Sequence, residues 1–77
     1  MFQFHSISAC SNSAQLVTIL YTRHISKEAV IKSVVFLNDN ASACITVVEP
    51  ASEPEVYQFI FHYADLNWRY VEMIQVL

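Results

Sequence analysis

The side chains able to do chemistry in this sequence are few and scattered. Its three histidines, His5, His24 and His62, stand at no spacing that would present two imidazoles to one metal ion, and neither Cys10 nor Cys44 lies beside one in a ligand pattern. A set assembled in space from His5, His62 and Cys44 is conceivable, but metal sites announce themselves in sequence by ligand pairs at fixed spacing, and no metal is expected. The carboxylates Glu49, Glu53 and Glu55 share a proline-containing segment without the dense alternation of oxygen ligands that a calcium loop needs, and read as a solubilising loop. Asp65 with Glu72, or with that loop, is the one carboxylate pairing available for acid and base work, and neither arrangement implies a buried, perturbed group. The chain has serines but not one glycine, which removes both the strained turn of a serine nucleophile and a phosphate-cradling loop. No catalytic residue and no cofactor are expected, and enzymatic activity is the weaker reading.

Two groupings remain as candidates for binding. His62 and Arg69 become cross-strand neighbours if the segment around them is a hairpin, and together could hold a carboxylate or phosphate; the alternative is an ordinary solvated face. The aromatic set Tyr57, Phe59, Phe61, Trp68 and Tyr70, with Tyr63, is either a stacking platform or pocket lining for a small molecule, or a hydrophobic core. Base-stacking surfaces come with cations that grip the phosphate backbone, and Arg69 alone is near, so core is the stronger reading.

The elements that position these residues follow from periodicity. From Val56 to Leu77, aromatic residues alternate at 57, 59, 61 and 63, a polar break follows, and Trp68-Arg69-Tyr70-Val71 resumes the pattern, which is a β-hairpin. With no glycine, Asp and Asn are expected to take the turn at Ala64-Asp65-Leu66-Asn67. A four-residue connection pairs Tyr63 with Trp68 and Phe61 with Tyr70, gathering all six aromatics on one face. A three-residue connection slips the register by one and exchanges the faces; the first is preferred. It places Ile60, Val71 and Met73 on the opposite face with His62, Arg69, Gln58 and Gln75, too apolar a mixture for simple solvent exposure and the first candidate for a subunit interface.

Upstream, Val30-Ile31 and Val34-Val35-Phe36 favour a strand over the helix that Ser26 could cap, and Cys44 to Glu49 returns beside it, with Ile45 opposite Val34 and Val47 opposite Lys32. Asp39 and Asn40 are expected to adopt positive φ in a two-residue turn. Leu16, Val17, Leu20 and Tyr21 at helical spacing, behind an Asn12–Gln15 capping box, predict a helix over about 13–22, and the alternation of Phe2, Phe4 and Ser6 predicts a short first strand over 1–8. The expectation is a single β-rich α+β domain over 1–77: an antiparallel meander from about 30 to 77, a short N-terminal strand and one covering helix.

This order of elements from Val30 resembles the closing sheet of the nuclear transport factor 2 like superfamily. The resemblance rests on the Asn38-Asp39-Asn40-Ala41 turn, then Tyr57-Gln58-Phe59-Ile60-Phe61 and Asp65-Leu66-Asn67-Trp68-Arg69-Tyr70-Val71. It covers a little over half the chain, departs from the family at Leu66, where such turns carry glycine, and has too little chain before Val30 for the family's helices. The resemblance implies a curved sheet, dimerisation through that sheet and an apolar pocket; no family active-site residue has a counterpart.

Composition limits the classes of partner. Apolar residues make up 55% of 77 and charged residues 14%, against about 25% charged in an average soluble domain, and so small a domain cannot hide that much apolar surface in one core. Self-association, with a dimer favoured, is the simplest outlet, and a protein partner is the second. Net charge is −3, with one cation against five carboxylates from Glu49 onward, which disfavours nucleic acid. The longest apolar run, Val34 to Leu37, is far too short to span a bilayer, and there is no signal-peptide pattern, so a cytoplasmic protein away from membranes is expected. Cys10 and Cys44 read as buried thiols rather than a disulfide.

Overall fold

A computed structural model describes residues 3–39 and 41–77, with side chains from residue 13 onward. One helix, α1 (Gln3–Arg23), precedes four strands, β1 (Val30–Leu37), β2 (Ser42–Glu49), β3 (Glu55–Ala64) and β4 (Asn67–Gln75). The strands form one antiparallel meander in the order β1-β2-β3-β4. The chain is thus α+β and β-rich, with one helix laid on a four-stranded sheet, and within 27–37 the β-branched residues from Val30 onward form a strand behind a turn at Lys27 and Glu28.

The N-terminal strand is not formed, and α1 begins ten residues before the expected position 13. Met1 and Phe2 lie outside the described residues, but Gln3 to Ser8 are helical. The Cys10-Ser11-Asn12-Ser13 stretch, expected as a break, is helix interior, so Asn12 is not a cap. Serine and asparagine each cost only about half a kcal/mol in a helix relative to alanine, whereas glycine and proline are what end one, and 3–23 contains neither. At the other end the Leu20 carbonyl accepts from both His24 N–H (2.8 Å) and Ile25 N–H (2.9 Å), closing the last turn, with Arg23 near the negative end of the helix dipole.

The hairpin register is the expected one near both turns, and bulges change it farther out. Val34 faces Ile45, but a bulge between Ile31 and Ser33 makes Lys32 the extra residue, so Val47 faces Ile31 and not Lys32. Tyr63 faces Trp68, His62 faces Arg69 and Phe61 faces Tyr70, and then a second bulge makes Val71 the extra residue, so Ile60 faces Glu72 and Phe59 faces Met73. Because alternate side chains point to opposite faces, the Val71 bulge turns Met73 and Gln75 to the aromatic side and Ile74 to the other. The expected grouping of Ile60 with Met73 and Gln75 is therefore corrected: they lie on opposite faces.

Leu16, Leu20 and Ile25 from the helix side pack on Ala43, Ile45, Val47, Phe59, Phe61 and Trp68, all buried, with Tyr57 and Tyr63 partly buried against them. The rings of Phe36 and Trp68, on the two edge strands, come within 6.1 Å of each other. Ala43, opposite Phe36 on β2, is small enough to give them room.

The turns lack glycine and show it in their backbone. Ala64 pairs with Asn67 around a two-residue turn in which Asp65 (φ 53°) and Leu66 (φ 66°), rather than Asp65 and Asn67, occupy the left-handed region. In the first turn Asn38 (φ 52°) and Asp39 (φ 56°) do so, while Asn40 lies outside the described residues. A left-handed leucine costs about 1–2 kcal/mol, and Leu66 recovers little of it by packing, being 81% exposed. Leu66→Gly is expected to raise stability by about 0.5–1 kcal/mol, the relief outweighing the entropy glycine adds to the unfolded chain; a lower urea midpoint for the variant would contradict this turn geometry.

Candidate functional site

The sheet has two unlike faces. The helix covers one. The other is built in rows by the register: Leu37, Ser42, His62 and Arg69; then Val35, Cys44, Ile60 and Glu72; then Ser33, Thr46, Gln58 and Ile74; and last Val30, Val48 and Val56. Val30 (48%), Val35 (49%), Leu37 (50%) and Ile74 (45%) are about half exposed, with Val48, Val56 and Ile60 partly so between them. Across β2 and β3 this face carries no Lys, Arg, Asp or Glu; its charges stand on the edge strands, Arg69 and Glu72 on β4 and the exposed Lys32, which follows core-facing Ile31, on β1. Lys32, the one cation of β1, is the bulged residue.

The anticipated binding groups divide between the two faces. His62 and Arg69 are cross-strand neighbours on the open face, as the register required. Arg69 Nη2 lies 3.3 Å from Asp65 Oδ2 in an exposed ion pair, of a kind worth about 0–1 kcal/mol. Tyr57, Phe59, Phe61, Trp68 and Tyr70 share the helix side, where Phe59, Phe61 and Trp68 are sealed beneath Leu16 and Leu20 while Tyr70 stays about half exposed. Ile60 keeps its place on the open face; Met73 does not, and Val71 sits in the bulge between them.

Three contacts at the far end of the helix went unread in the sequence. The His24 ring stacks on Tyr70 at 4.6 Å and meets Phe59 at 5.7 Å and Phe61 at 5.9 Å, so the residue after α1 closes the aromatic side where the helix stops. Glu49 accepts from Ser26 N–H (2.9 Å) and Ser26 Oγ (2.6 Å), and the Tyr21 hydroxyl donates to the Ala29 carbonyl at 2.7 Å, tying the helix–sheet connection to the end of β2. Glu49 is thus a structural clamp rather than a member of a solubilising loop. The His24 and Glu49 pairings join residues more than twenty positions apart, and no local pattern signals them.

The remaining acidic loop borders an open cleft of about 480 Å³ lined by Ser52, Glu53, Pro54, Glu55, Gln75 and Leu77. Glu55 is already engaged there, accepting from the Tyr57 hydroxyl at 2.8 Å and from Gln75 Nε2 at 3.5 Å. Among the described residues no group of three His, Cys, Asp or Glu is placed to hold a metal ion, no helix is long and apolar enough to cross a membrane, and Cys44 is a free thiol. Cys10 and His5 fall outside the described side chains.

Comparison with known proteins identifies no matching family model, curated protein or solved structure.

The Tyr57–Glu55 hydrogen bond raises the phenol above its ordinary value of 10.0, followed in effect by burial and the charges of Glu55 and Glu49. A phenolate at that position would face a carboxylate that needs a donor, so Tyr57 holds its proton to higher pH. Glu55→Gln is expected to move its titration back down, as followed by the Tyr57 ring-carbon shift in a nuclear magnetic resonance pH series; an unmoved or higher midpoint would contradict the contact.

Proposed function

We propose that this protein is a non-enzymatic interaction module that self-associates, in its simplest form as a homodimer, through the open face of its sheet. The observation that carries the reading is the exposure of Val30, Val35, Leu37 and Ile74 around Ile60 on a surface with no fixed charge over its two central strands. Exposed apolar side chains grouped around an uncharged centre are costly to leave in water. The whole face, its charged edge residues included, spans four strands about 4.8 Å apart and eight residues long at about 3.3 Å each, or about 500 Å². Two copies would bury about 1,000 Å² in total, the lower limit of a specific interface, which fits a reversible dimer. A protein partner with a similar apolar patch would use the same surface.

Face-on packing is favoured over strand addition at the edges because each edge strand is interrupted, β1 by the bulge that carries Lys32 and β4 by the bulge at Val71. Both devices discourage edge pairing. The small-molecule reading draws less support, since the aromatics that would line a pocket are packed under Leu16 and Leu20. The free Cys44 thiol supports a reducing compartment such as the cytoplasm.

Light scattering on a size-exclusion column is expected to give a mass approaching twice 8.8 kDa at high concentration. Ile60→Glu, which places a charge at the centre of the open face, is expected to return it to 8.8 kDa, while Met73→Glu, on the helix side, retains the larger mass. A monomer at every concentration would remove the proposal, and dissociation by Met73→Glu alone would move the interface to the other face.

A further inference from the structure

Resting on the self-association reading, we infer that the protonation state of His62 regulates this interface, which closes when the imidazole is neutral and opens when it is charged. His62 is exposed on the open face, in the row formed with Leu37, Ser42 and Arg69. Histidine is the side chain whose charge changes between about pH 5 and 8.

The surroundings of His62 contain little to neutralise a positive charge. Its direct neighbour on β4 is Arg69, with side-chain roots about 5 Å apart in such a pair, and like charges directly opposite one another are destabilising. Its neighbour on β2 is Ser42, and the next outward residue of that strand is the Cys44 thiol; β1 contributes Leu37 to the row. Asp65, the carboxylate in the adjoining turn, is already shared with Arg69. Glu72 stands diagonally, opposite Ile60 and beyond the Val71 bulge. His24 stacks on Tyr70 on the opposite face, away from this surface.

A neutral imidazole enters an apolar interface as a polar ring with a hydrogen-bonding tip. An imidazolium there must surrender its hydration beside a guanidinium, in each of the two copies, against a surface without a carboxylate on three of its strands. Association therefore favours the unprotonated form. By linkage, rising pH strengthens the assembly and falling pH through the histidine range weakens it.

Sedimentation velocity over a concentration series at about pH 8 and about pH 5.5 tests this in the intact protein. The dissociation constant of the wild type is expected to be at least about tenfold larger at the lower pH, with circular dichroism unchanged between the two, and His62→Gln is expected to show one constant at both. Association that is equal at both pH values in the wild type, or a pH dependence that survives in His62→Gln, overturns the role of His62 while leaving self-association standing. A wild type that stays monomeric at both overturns the two together.

Discussion

A helix with its side chains is about 10 Å across and a four-stranded sheet about 19 Å wide, so one helix can shield about half the width of one face of such a sheet and none of the other. Everything else in this fold follows from that mismatch of layers. The aromatic side of β3 and β4, together with Ala43, Ile45 and Val47, spends its apolar surface on Leu16 and Leu20 and becomes the core. The far side has no second helix to meet it, yet keeps valines, isoleucines and a leucine where a one-sided sheet would alternate to charge. That combination makes the open face the part of the molecule least content in water.

The bulges at Lys32 and Val71 sharpen the distinction between the faces. Each shifts its edge strand by one residue, and since the side-chain period in a strand is two, each moves residues between core and exterior. At Val71 the shift brings Met73 opposite Phe59 on the helix side and sends Ile74 out to join Ile60. The same bulges interrupt the two rows of unpaired backbone groups, so neither edge offers an unbroken strand for pairing. His24 and the Ser26–Glu49 clamp hold the end of the helix against this sheet, which keeps the covered face covered.

Much of this was legible from residue order. The alternation from Tyr57 to Tyr63 marks β3, the Trp68 and Tyr70 pairing follows from a four-residue connection, and the β-branched content of Val30 to Phe36 marks β1. What could not be read was whatever depends on a single inserted residue or on distant partners. Nothing at Val71 distinguishes a bulge from regular strand, so a shared face for Ile60, Val71 and Met73 follows only from a register that holds as far as Tyr70. The Ser- and Asn-rich stretch before Ala14 looks like punctuation, because those residues favour caps and turns; without glycine or proline to enforce the stop, α1 runs through it. Leu66 carries no turn signature at all, and its positive φ is imposed by the strands on either side.

Self-association through the open face requires that surface of the sheet, and not the helix side, to meet the second copy. Isotope-filtered nuclear Overhauser spectra on a mixture of labelled and unlabelled protein read that contact atom by atom. Intermolecular cross-peaks are expected from the methyl groups of Val35, Val48, Ile60 and Ile74. Cross-peaks confined to Tyr70 and Met73, or none at concentrations where the mass is above that of one chain, would contradict the assignment of the open face as the interface.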